Sequence, residues 1–240
     1  MGHPLDAAFL RIRRAEEHLA DLKARTDVFV EAERKEFAVQ LDPKNPEDFS
    51  KMRVFVPDTP PPDMLGVLTG EIVHNLRVAL DYLIYALAER DSRKVQSGTQ
   101  FPIEDTPNGF AGRQKTFLKG VNATHVAQIE RLQPYNGCQW AQQIRALSNV
   151  DKHRHLVRLK GRVGAQLRFT VGSTEGLDIL PNPLDAAVQS AYDPTTGDTV
   201  HVQHYTDIRI GFDDGTPVIE TLQELQLHVA QTLEAFKPEF

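Results

Sequence analysis

The chain has a single cysteine, Cys138, so no disulfide can form within it, and a reducing cytoplasm is the expected setting. No stretch approaches the roughly 20 consecutive apolar residues of a membrane span. The opening segment MGHPLDAAFLRIRRAEEHL lacks a secretory signal's order of basic region, apolar core and small-residue cleavage site. No membrane partner is therefore expected. Glycine and proline, 15 of each, are too few for a collagen-like or low-complexity chain. Also absent are the Walker loop, GxGxxG, the GxSxG elbow and HExxH. Without the elbow, Ser148 is not read as a hydrolase nucleophile despite the histidines nearby.

What is present is ordinary globular material: 240 residues, 40% apolar and 25% charged, enough for one core. The net charge of -6 excludes a uniformly basic nucleic-acid coat, but the charge is uneven. Between Arg145 and Arg168 seven bases face one acid, whereas from Glu175 onward twelve acids face two bases. Two readings follow. The basic segment is a local anion-binding surface, or it neutralises the acidic segment within the fold.

Apolar residues at three- and four-residue steps (Leu5, Ala8, Phe9, Ile12, Ala15, Leu19, Leu22) predict a helix over 5–25. VFVEAERKEFAVQ (28–40) and KMRVFV (51–56) read as two strands of a long hairpin. Thr59-Pro60-Pro61-Pro62-Asp63 is a stiff break, and a long helix is expected over about 63–90. A polar loop over 91–112 carries Gln100-Phe101-Pro102-Ile103, whose apolar residues are suited to pin it to the core. Helices are expected at about 113–118, 124–132 and 138–151, and strands from 155. The last helix is read at 218–236 with Ile219, Leu222, Leu225, Val229, Leu233 and Phe236 on one face. The fold class is α+β, a central helical bundle with antiparallel strands from both ends of the chain. It is read as one domain, 1–240, in which 1–57 and 155–240 wrap a helical core of 63–151.

The long helix has an apolar side, Ile72, Leu76, Ala79, Leu80, Leu83 and Leu87, and an unusual polar one. That polar side holds Glu71, His74, Asn75, Arg77, Asp81, Tyr82 and Tyr85, and no lysine. His74, Arg77 and Asp81 are spaced i, i+3, i+7 along one stripe. Either Arg77 and Asp81 form an ion pair within a packed network, or the face lines a cleft. In the second case Arg77 holds an anion, Asp81 orients it and His74 exchanges protons.

The segment 145–155 reads RALSNVDKHRH. If the helix continues to 153, Arg145, Asn149 and His153 share one side, and Asp151 turns inward with Trp140, Ile144 and Leu147. A buried carboxylate needs a partner, and Arg77 or His74 would supply one, so the two polar clusters are expected to meet. If instead the helix ends at Asp151, His153 and His155 share a strand face. Such a pair suits a metal only with further ligands such as Glu71, Asp81 or His74. No metal or cofactor is the preferred expectation.

Together GEIVHNLRVALDYLIYALA (70–88), LQPYNG (132–137) and LSNVDKHRHL (147–156) resemble a group of bacterial and phage-borne proteins. More remotely, the helical core resembles the HEPN superfamily, helical domains many of which are metal-independent ribonucleases. Their motif is an arginine, often followed by asparagine, and then a histidine after four to six intervening residues. Asn149 and His153 match the asparagine and histidine, while Ser148 stands where the arginine would be. The spacing recurs at Arg13–His18 and Arg11–His18. The resemblance implies RNA or a nucleotide phosphate as partner and a homodimer. It makes His153 the acid or base, gives the phosphate to Arg77 or Arg154, and has Asn149 and Asp151 orient them. His74, Asp81, Lys152 and Arg154 complete the binding surface. The alternative is a noncatalytic module built on a buried polar network.

Overall fold

The structure, a computed structural model, describes residues 2–45, 48, 51–153, 157–171, 186–192 and 199–240. Of residues 150–153, 164–171, 186–192 and 201–206 it describes the backbone. The fold is α+β and dominated by helices. In chain order the elements are α1 (Asp6–Glu36), β1 (Ala38–Gln40), β2 (Arg53–Phe55), α2 (Asp63–Ser92), α3 (Pro107–Phe117) and α4 (Ala123–Arg131). A 3₁₀ turn at Pro134–Asn136 precedes α5 (Gln139–His153), β3 (Leu159–Val171), β4 (Ala186–Tyr192), β5 (Thr199–Phe212) and α6 (Val218–Phe236). No helix among the described residues is long and apolar enough to cross a membrane.

The chain divides into two compact units, each assembled from separate stretches. The first comprises Met1–Arg25, Pro62–Leu159 and Thr216–Phe240. Its core forms around α2, whose Ile72, Leu76, Ala79, Leu80, Leu83 and Leu87 are fully buried, the apolar side read from the sequence. Helices α5 and α6 pack on α2, burying Ile144, Leu222, Leu225, Val229 and Leu233. Leu5, just before α1, and Ala8, Ile12, Ala15, Leu19 and Leu22 on it are buried as well. Two starts are capped by side chains. Thr106 Oγ1 accepts from the Gly109 N–H ahead of α3, and Asn122 Oδ1 accepts from the His125 N–H ahead of α4. Phe101, Pro102 and Ile103 are buried, so the loop after α2 is pinned to the core as expected.

The second unit comprises Thr26–Pro61 and Lys160–Gly215. Its small hairpin pairs Ala38 with Phe55, Val39 with Val54 and Gln40 with Arg53. Phe37 and Val39 are buried there against Leu41, Met52 and Val163. The other sheet has the order β3-β5-β4, with β4 antiparallel to β5.

Two expectations fail: the loop read over 91–112 ends early, because Thr106 caps α3 and Pro107 opens it six residues before the helix read at 113–118, and the first strand is absent over most of its length. Residues 28–36 are not a strand; α1 runs on through Glu36. The β-branched Val28 that suggested a strand is 73% exposed. Extending an existing helix costs far less than starting a sheet. The following EAERKE favours helix, and Glu31 pairs with both Arg34 and Lys35 one turn on. Only the last residues before the turn, Ala38–Gln40, are extended.

Candidate functional site

The polar face of α2 and the stripe on α5 meet at one pocket of the first unit, with a volume of about 280 Å³. Arg77 and Asp81 line it from α2, Gln100, Phe101, Ile103 and Glu104 from the loop, Arg113 and Phe117 from α3, and Arg145, Ser148 and Asn149 from α5. Helix α5 does continue to His153. Arg145, Asn149 and His153 therefore follow one another at four-residue steps, and the first two line the pocket.

Arg77 and Asp81 are engaged with each other and with the loop. Arg77 Nη2 lies 3.4 Å from Asp81 Oδ1, and their side chains are only 13% and 26% exposed. Arg77 Nη2 also donates to the Phe101 carbonyl, while the Phe101 N–H donates to Asp81 Oδ1 at 2.8 Å. The pair thus satisfies both backbone groups of a buried residue twenty positions or more along the chain. Burial pushes the Arg77 guanidinium below its ordinary pKa, and the Asp81 charge opposes that shift.

The rest of the loop is held in the same manner. Gln133, fully buried, donates from Nε2 to the Pro102 carbonyl at 2.9 Å and the Ile129 carbonyl at 3.1 Å. Its Oε1 accepts the Glu104 N–H at 2.9 Å. Arg145 Nη1 donates to the Ile103 carbonyl at 3.0 Å and Nη2 to Asp105 at 2.6 Å. Gly137, at φ 91°, closes the turn that sets Gln133 in place; a left-handed backbone of this kind suits glycine. Arg113, 57% exposed, pairs with Glu104 at 3.2 Å on the pocket rim.

The sequence-derived candidates therefore divide. Arg77, Asp81 and Asn149 come together at the pocket. His74 is exposed on α2 and does not line it. Asp151, Lys152 and His153 belong to α5, but their side chains lie outside the described ones, and Arg154 and His155 lie outside the described residues altogether. With His153 helical, the strand-borne His-x-His pair is not formed as read. Arg11 and His18 sit against the outer face of α2 instead, at Asn75 and Tyr82 and at Glu71. Gln133, Arg113 and Glu104 were not singled out from the sequence. The one available signal was a glutamine inside the quoted LQPYNG segment. Among the described residues no group of three or more His, Cys, Asp or Glu is arranged to hold a metal. Cys138 is half-buried and its Sγ faces the Arg131 carbonyl at 3.4 Å, a packing position.

A scan of protein-family models, a search of curated proteins and a search of solved structures each return no match.

Proposed function

We propose that the pocket between α2, the 100–104 segment, α3 and α5 serves an RNA-acting or nucleotide-binding protein of HEPN-like type, with metal-independent RNA cleavage as its chemistry. The observation that supports this reading is that Arg145 and Asn149, one turn apart on α5, line one cavity with Arg77 and Asp81. His153 follows one turn further along α5 and is the proton-transfer group of the proposal. Asn149 orients the ligand, with Asp151, Lys152 and Arg154 beside it in sequence. Cleavage at a ribose requires proton transfer and charge stabilisation at phosphate. Arg77 is a positioning residue in this scheme, because Asp81 and the Phe101 carbonyl occupy its guanidinium. Arg145 and Arg113 take the phosphate. Their carboxylate partners Asp105 and Glu104 form ion pairs at least partly open to solvent, and such pairs contribute about 0–1 kcal/mol and exchange readily. A homodimer is part of the same proposal.

A second reading is favoured by the closed hydrogen bonding of Arg77 and Asp81 on Phe101: a noncatalytic module in which the polar face fixes a loop. One experiment separates the two. Purified protein and its Asn149→Ala and His153→Ala variants are incubated with mixed RNA, with and without chelator, and sized by light scattering. The first reading expects cleavage that survives chelator and falls roughly 10²–10⁴-fold without His153. Absence of both binding and cleavage, with His153→Ala much less heat-stable, supports the second.

A further inference from the structure

Ser148 is 5% exposed, lies on the pocket wall and has no hydrogen-bond partner among the described residues. Of the other buried helical hydroxyls, Thr26 likewise has no hydrogen bond among the described residues, but it lines no such pocket; the remaining three are satisfied locally. Thr69, Thr221 and Thr232 each donate to the carbonyl four residues back, at 2.6 to 2.8 Å. That local bond is the usual resting place of a buried hydroxyl in a helix. The Ser148 hydroxyl is thus a donor and acceptor on a mostly buried side chain of the pocket wall, open to a ligand there.

The remaining walls indicate what it would bind. The cations facing the pocket are already matched: Arg77 with Asp81, Arg113 with Glu104, Arg145 with Asp105. On α5 the groups left unmatched among the described residues are neutral, the Ser148 hydroxyl and the neighbouring, exposed Asn149 carboxamide. Each both donates and accepts. An oxyanion only accepts and is best served by charged donors, whereas a hydroxyl donates and accepts as these two groups do.

We propose that Ser148, with Asn149, binds a ribose 2′-hydroxyl and so makes the pocket selective for RNA over DNA. The proposal rests on the nucleic-acid reading of the pocket and adds the sugar to it. Phosphate stays at the rim, near Arg113 and Arg145.

The test is binding of a short single-stranded RNA, its DNA counterpart and its 2′-O-methyl form, measured on ice by fluorescence anisotropy with the RNA checked as intact afterwards. Wild type is expected to favour RNA over both others by about three- to ten-fold, the worth of one net hydrogen bond. Ser148→Ala is expected to bring RNA to the affinity of DNA. Urea unfolding followed by the fluorescence of Trp140 gives the structural control: the Ser148→Ala midpoint stays level or rises, because no intramolecular bond is lost. Equal binding of RNA and DNA by wild type overturns the 2′-hydroxyl assignment and leaves the nucleic-acid reading standing. So does a sugar preference that persists in Ser148→Ala, or an Ser148→Ala midpoint well below wild type. Failure of wild type to bind any of the three overturns the nucleic-acid reading and this assignment with it.

Discussion

Replacing Gln133 by leucine tests whether side chains, rather than a sheet, hold the loop that floors the pocket. The substitution keeps the volume close to native, so little cavity forms. It removes the donor to the Pro102 carbonyl and the acceptor of the Glu104 N–H. The Ile129 carbonyl keeps another donor, the Leu132 N–H at 3.1 Å. Two backbone groups are therefore orphaned, at about 1–3 kcal/mol each. Burying leucine in place of an amide returns up to ~2 kcal/mol. The net expectation is a loss of about 3 kcal/mol, or roughly 6–12 °C in unfolding midpoint for a chain of this size. Trp140 is the only tryptophan and is 9% exposed in the same unit, so its fluorescence in urea reports this unit selectively. Hydrogen exchange at the Glu104 N–H should lose its protection in parallel. A variant within about 0.5 kcal/mol of wild type, the range of an inert surface change, with Glu104 still protected, would refute the reasoning.

Two further outcomes concern titration. The Tyr135 phenol is pushed up to about 12, by burial first and then by the Glu130 carboxylate, which accepts its hydrogen bond at 2.9 Å. Stability from the neutral phenol is complete below its unfolded value of about 10 and is lost as pH rises from there towards 12. An ultraviolet titration should show a late phase that vanishes in Tyr135→Phe and moves to lower pH in Glu130→Gln; a late phase unchanged in both would contradict this. At the 3₁₀ turn after α6, the Glu239 carboxyl is held below the usual carboxylate range, chiefly by its hydrogen bond with His125 and further by Arg90. The docking it supplies is present above its unfolded pKa, about 4.3, and is lost as pH falls through its lower folded value. The protection factor of the Phe240 N–H, bonded to the Lys237 carbonyl, taken against its intrinsic exchange at each pH, should fall in acid for wild type and be flat over that range in Glu239→Gln. Matching profiles would count against the carboxylate's part in this docking.

Helical elements with long apolar stripes were readable because burial follows period alone. The stripe of α6 is buried as read from Leu222 to Phe236, and the apolar side of α2 is complete. The end of α1 reads as a strand because the apolar stripe of the helix stops at Leu22 and Val28, Phe29 and Val30 have a local β-preference. The buried positions Leu22, Thr26 and Glu33 continue the helical spacing. Thr26 and Glu33 are polar, so an apolar pattern does not find them.

The polar face of α2 did mark the pocket, but its residue types concealed why. An arginine four residues before an aspartate is a weak helical pair, worth about 0.2–0.5 kcal/mol. What makes the pair matter is Phe101, whose N–H and carbonyl it satisfies together. Backbone groups of a loop leave no signature in the sequence, so neither Arg77's partner nor the role of Gln133 could be read there. The same geometry restricts the chemistry. A phosphate recruited by Arg77 would have to displace both Asp81 and the Phe101 carbonyl, freeing a buried residue's backbone and slackening the pocket floor. Arg145 also holds a loop carbonyl through Nη1, but its other arm reaches the exposed Asp105, so a ligand can exchange there while the loop stays tied. Ligand charge should therefore be read by Arg145 and Arg113, and an Arg77→Ala variant should weaken binding through the loop it releases rather than through a lost contact.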